Sequence, residues 1–128
     1  MGCGWQRWGE YDYDVIPEAD VNRVRVWLAE RMAEWPPDVH DQIRLELDVD
    51  ARSVTVVECR PPWREDFGPE WSRQVVARLR YTATRGEWSL YWSDRNSKFH
   101  AFPGVRPVRD VRRLLKVIDE DRTGIFWG

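Results

Sequence analysis

Residues 43–59 read IRLELDVDARSVTVVEC, and the two-residue period of this stretch decides the fold. Ile43, Leu45, Leu47 and Val49 fall on one side of an extended chain, with Arg44, Glu46 and Asp48 on the other. Such alternation predicts a half-buried strand, because successive side chains of a strand point to opposite faces. Asp50, Ala51, Arg52 and Ser53 supply a short turn, and VTVVEC returns as the hairpin partner. A hairpin with one apolar face needs a cover, which the rest of the chain must provide.

Downstream, Pro61 and Pro62 break the pairing, and the stretch to Pro69 reads as a loop carrying Trp63 and Phe67. RQVVARLRY at 73–81 predicts a third strand with Val75, Ala77, Leu79 and Tyr81 together. Thr84, Arg85 and Gly86 turn the chain into EWSLYW at 87–92, where Trp88, Leu90 and Trp92 share the core face. Asp94, Arg95 and Asn96 turn it again into a fifth strand, KFHAF at 98–102. After Pro103, Gly104 and Pro107, VRDVRRLLKVIDE carries Val108, Val111, Leu114, Leu115 and Ile118 at helical spacing over 108–120. Gly124 suits a left-handed helix end, and Ile125, Phe126 and Trp127 are too apolar to dangle. Upstream, Pro17 with Glu18 and Asp20 opens a helix whose stripe is Val21, Val24, Leu28, Met32 and Trp35, ended by Pro36 and Pro37.

The order is therefore α-β-β-β-β-β-α. Short connections favour antiparallel neighbours. The expected fold is α+β: a five-stranded antiparallel meander with the N-terminal and C-terminal helices packed mainly on one face. Residues 1–128 form a single domain on this reading, with 1–16 as an N-terminal arm or loop.

Composition narrows the class. At 42% apolar and 33% charged, the chain is expected to be globular rather than disordered. Nine Trp in 128 residues place some indoles at the core edge or on a binding surface, since each N–H wants a partner. No apolar run is long enough for a membrane span and residues 1–10 lack the core of a secretory signal. Two cysteines, Cys3 and Cys59, are too few for a disulfide framework, so reduced thiols in a cytoplasmic protein are expected, with a Cys3–Cys59 bridge as the alternative. Residues 1–70 hold 8 Lys and Arg against 16 Asp and Glu, whereas residues 71–128 hold 12 against 6. That asymmetry serves either packing between the halves or a basic patch in the second.

From Arg60 onward the chain resembles a bacterial family of unknown function, DUF3024. The resemblance rests on RPPW at 60–63, ARLRY at 77–81, WSLYWSDRN at 88–96, Phe99-His100 and LLKVIDEDRTGIFWG at 114–128. It covers roughly residues 60–128 and implies bacterial origin and a compact C-terminal unit. It transfers no activity and no site residues.

Candidate chemistry divides three ways. If Trp88 and Trp92 are core, Ser89, Tyr91 and Ser93 point to the opposite sheet face, with Arg78 and Arg80 of the preceding strand. His100 or Phe99 joins them according to the register of the last hairpin. Aromatic rings beside guanidinium groups suit single-stranded nucleic acid, whose bases stack while its phosphates seek cations. The basic side of the last helix, Arg109, Arg112, Arg113 and Lys116, is expected to extend that groove. The same face suits a protein partner or a homodimer, because Tyr, Trp and Arg are enriched at interfaces.

The enzymatic alternative is a metal-dependent hydrolase or nuclease. Asp48 or Asp50 at one strand end and Glu58 on its partner would gather around a hard cation, although Arg60 stands where a lysine base would. Asp94 and His100 lie near one turn and form a candidate acid–base dyad. Cys3, Cys59, His40 and His100 lack the short spacing of a zinc site. The leading expectation is a non-enzymatic binding module with no cofactor, no resident metal and no membrane attachment.

Overall fold

The structure, a computed structural model, describes residues 16–62, 68 and 70–127. The loop residues Trp63 and Phe67, Cys3 and most of the expected arm lie outside the described residues. Helix α1 spans Glu18–Ala33 and is followed by a short 3-10 turn at Pro37–Asp41. Five strands follow: β1 Arg44–Val49, β2 Ser53–Arg60, β3 Ser72–Thr82, β4 Glu87–Ser93 and β5 Phe99–Ala101. Helix α2, Arg112–Glu120, closes the order. The strands form one antiparallel sheet in the sequence order β1-β2-β3-β4-β5, the expected meander.

Alternation sorts the sheet into two faces. Leu45, Val54, Val56, Ala77, Leu79, Trp88 and Leu90 pack into one core cluster with Val21, Val24 and Leu28 of α1 and Val111, Leu114, Leu115 and Ile118 beside and within α2. Both helices therefore cover the same face. Trp88 is 0% exposed, and its indole N–H donates to Asp20 Oδ2 on α1 at 2.9 Å. This bond ties the centre of β4 to the first turn of the helix above it.

Three local features differ from the expected pattern. A bulge opposite Val56 and Val57 on β2 shifts the register of β3, so that Val57 pairs with Val75 and Val56 with Ala77. The extra residue, Val76, is buried in the helix-side core, whereas Val75 turns to the other face, away from Ala77 and Leu79. Helix α2 starts at Arg112 rather than Val108, because Val108 exchanges both backbone hydrogen bonds with Trp88 and extends the sheet edge. The helix ends at Asp121, whose φ of 40° makes it the left-handed cap, and Gly124 at φ 70° serves the next turn.

Asp121 also folds the C-terminus back. Its carboxylate accepts the backbone N–H groups of Phe126 and Trp127 at 3.0 and 2.9 Å. Phe126 is buried against Phe102, and Trp127 donates its indole N–H to the Ile118 carbonyl while Arg31 lies over its ring. The apolar ending is structural, as expected. No helix among the described residues is long and apolar enough to cross a membrane.

Candidate functional site

The face away from the helices is built in cross-strand rows. Register places Ser53, Arg80 and Ser89 in one row and Thr55, Arg78, Tyr91 and Ala101 in the next. Ser93 pairs with Phe99 one row further on. Small residues therefore flank Arg80 on both sides. Larger ones flank Arg78.

Arg78 is fixed. Its Nε donates to Thr55 Oγ1 at 3.0 Å, and its guanidinium lies 3.7 Å from the centre of the Phe99 ring. Such stacking holds a guanidinium by cation–π attraction while leaving its terminal N–H groups free to donate. Arg80 differs: it is exposed, and its side chain has no hydrogen bond or ion pair among the described residues. Tyr91 is half-buried, and its hydroxyl likewise has no such partner. Together these three side chains, with Phe99, line a recess of about 280 Å³.

The β1–β2 turn closes one end of that recess. Asp50 accepts the N–H groups of Arg52 and Ser53 and the Ser53 hydroxyl, all within 3.0 Å. These donors, the Arg52 N–H foremost, hold the Asp50 carboxyl below the usual range. Asp50 therefore organises the turn as an ionised side chain. It presents Arg52 to the recess and to a neighbouring hollow of about 410 Å³ that shares Arg52, Arg80 and Tyr91. Three guanidinium groups face one carboxylate in the smaller recess, a local positive site on a chain of net charge −2.

The other end of the face is neutralised. Arg73 reaches from β3 across β2 to Glu46 at 2.8 Å and to both oxygens of Asp48 at 2.8 Å. This bridge passes over the row occupied by Cys59, which is buried and a free thiol. Desolvation pushes the Cys59 thiol pKa up, so it is held as the unreactive thiol.

The register of the last hairpin excludes His100 from the recess. His100 pairs with Trp92, on the helix side, and its ring lies 4.7 Å from the indole; Phe99 takes the open face instead. The candidate dyad does form: His100 Nε2 and Asp94 Oδ2 are 2.7 Å apart. Asp94 is lowered chiefly by that bond, and it also accepts the N–H groups of Asn96 and Lys98. Asp94 and His100 thus fasten the β4–β5 turn on an exposed edge.

The basic helix does not extend the groove. Helix α2 lies in the layer behind the sheet, so the sheet separates Arg112, Arg113 and Lys116 from Arg78 and Arg80. Arg109 precedes that helix, next to the Val108 bridge to Trp88. Arg112 is moreover engaged with both oxygens of Asp110 at 2.9 Å.

The hydrolase carboxylates are also apart. Asp48 lies on the open face, paired with Arg73; Asp50 holds the turn; Glu58 pairs with Leu45 in the register, points to the helix side, and is bridged by Arg60. Among the described residues no three His, Cys, Asp or Glu side chains gather as a metal ion would need. His40, in the 3-10 turn, bonds the Trp35 carbonyl at 3.3 Å.

The family model of DUF3024, a domain of unknown function, matches residues 14–128. The chain belongs to the DUF3024 family. The match takes in α1 and the first hairpin, beyond the residues 60–128 over which the resemblance was read. No curated protein and no solved structure matches the chain.

In this DUF3024 chain, sequence reading missed Arg52, Ser53 and Thr55 as parts of the recess. A signal was there: Ser53 and Thr55, which alternate with Val54 and Val56 at the start of β2, are small and polar, and they lie opposite Arg80 and Arg78 of β3. Choosing Phe99 over His100 needed the register, which hangs on a three-residue strand.

Proposed function

We propose that this protein is a non-enzymatic binding module whose open sheet face takes single-stranded nucleic acid. The observation that carries the reading is Arg80: an unpaired guanidinium standing between two serines, beside the immobilised Arg78 and the free hydroxyl of Tyr91. A phosphate would be received by Arg80 and the terminal N–H groups of Arg78, and a base would stack on Tyr91. Arg78 is set in place by Thr55 and Phe99 before any ligand arrives, which lowers the entropy cost of binding. Because the chain is acidic overall, affinity would come from this patch and not from a whole-protein field. A bacterial, cytoplasmic setting, expected from the family resemblance and the cysteine count, goes with this reading.

The test is fluorescence anisotropy with a labelled single strand of about 10 nucleotides, a length within the range such platforms occupy. Tyr91→Ala should weaken binding by about 5- to 160-fold, the worth of one stacked base, and leave the salt dependence unchanged. Arg80→Ala should weaken it and also lower the slope of log K against log salt by about 0.7, the value for one lost phosphate contact. Wild-type affinity and slope in both variants would remove the reading.

A further inference from the structure

We infer that the sheet-face recess takes the end of a strand, and that the group it holds there is a terminal phosphomonoester. This inference rests on the nucleic-acid reading of the same face and adds which part of the ligand enters. At about 280 Å³ the recess lies just under the roughly 300–1,000 Å³ of pockets that enclose a drug-sized ligand. It suits one phosphate and its adjoining sugar, not a run of strand.

Charge selects the group. Arg52, Arg78 and Arg80 line the recess with one acid, Asp50, so its formal charge is two positive. Asp50 keeps its negative charge because it accepts the N–H groups of Arg52 and Ser53 and the Ser53 hydroxyl. A phosphate inside a strand carries one negative charge, whereas a terminal monoester carries about 1.5 to 2 and offers three acceptor oxygens. An internal phosphate would therefore neutralise half of the recess. A terminal one would neutralise nearly all of it, and its oxygens would meet guanidinium donors from β3 and from the β1–β2 turn.

The surroundings set where the strand stops. On the β1 side the recess is bordered by carboxylates: Asp50 in the turn, and Asp48 in the same cross-strand row as Thr55, Arg78 and Tyr91. Asp48 shares Arg73 with Glu46, so the next cation in that direction is already engaged. A polyanion continuing over β1 would meet acids and no unpaired arginine. Toward the β3–β4 turn the surface differs. There Arg52, Arg80 and Tyr91 lead into the hollow of about 410 Å³ beside Thr82 and Thr84, which no carboxylate lines. Glu87 stands opposite Thr82 in the register but is not part of that lining. The strand thus lies over the hollow and ends in the recess. Tyr91, common to both spaces, is placed to stack the terminal base.

Fluorescence anisotropy with a strand of about 10 nucleotides, labelled at a central base, tests this. The strand is prepared with hydroxyl ends, with a 5′-phosphate and with a 3′-phosphate. At least one phosphorylated form should bind at least about tenfold more tightly than the hydroxyl-ended form, the worth of one charge-assisted hydrogen bond. It should keep an advantage over a hydroxyl-ended strand about two nucleotides longer, which matches its charge. Arg52→Ala, with unchanged circular dichroism, should abolish the advantage and still bind the hydroxyl-ended strand. Hydroxyl-ended and phosphorylated strands that bind wild type equally overturn this inference and leave the sheet-face reading standing. So does an advantage that the longer strand reproduces, or one that survives in Arg52→Ala. A nucleoside monophosphate that binds as tightly as the phosphorylated strand overturns it as well, because the site would then be one for free nucleotides. If no strand binds with any ending, the sheet-face reading falls and this inference with it.

Discussion

Trp88→Ala removes the largest fully buried side chain among the described residues. The ring packs 5.1 Å from Tyr81, sits between the sheet and both helices, and donates its N–H to Asp20. Truncating a core aromatic to alanine costs about 3–5 kcal/mol through lost transfer energy and the cavity left behind. Losing the bond to Asp20 adds only about 1 kcal/mol, because that partly exposed carboxylate keeps Arg23. The sum, about 4–6 kcal/mol, rivals the whole stability of a small domain. Trp92→Ala should cost far less, about 1–2 kcal/mol, because its indole is half-exposed and lies against the exposed His100 ring rather than being enclosed. The assay is urea unfolding followed by far-UV circular dichroism, comparing midpoints at constant m. Nine Trp make fluorescence a poor reporter of any one of them. A Trp88→Ala cost below about 1 kcal/mol, or equal costs at both positions, would refute the placement of β4 in the core.

Asp121→Ala should destabilise by about 2–3 kcal/mol, since it strands the N–H groups of Phe126 and Trp127 and leaves a left-handed backbone to alanine. A melting temperature unchanged from wild type would mean that the apolar tail holds itself. Asp110, hydrogen-bonded by Arg112, is held at about 2 against an ordinary 3.8. A depressed carboxyl pKa adds stability above the unfolded value that is lost as pH falls through the folded one, so this contribution disappears between about pH 4 and pH 2. NMR titration should return the Asp110 pKa toward 3.8 in Arg112→Ala; an unmoved value would assign the shift to something else.

The fold was legible because strand alternation and helical spacing both survive in the sequence with little interference. The apolar stripe of α1 and the alternation around Trp88 and Leu90 each point to one covered face, and both helices lie there. The features that sequence did not show arise from pairing between strands. A bulge moved Val75 to the open face without changing any residue's propensity. Only the β4–β5 register tells Phe99 from His100. Arg109, Arg112, Arg113 and Lys116 look like an extension of the Arg78–Arg80 patch when charge is counted along the chain, yet the sheet lies between them. The same blindness joined Asp48, Asp50 and Glu58, which occupy different faces and ends of the first hairpin. Proximity in sequence predicted the turn partners Asp94 and His100 correctly, because a short turn leaves them little choice.

The most direct test of the sheet-face account is amide chemical-shift mapping of the full protein titrated with a short single strand. The account predicts that the perturbed amides cluster on Ser53, Arg78, Arg80, Ser89, Tyr91 and Phe99, with Val26, Glu30 and Lys116 on the helical layer unmoved. Shifts confined to the helices, or none under low salt, would contradict it.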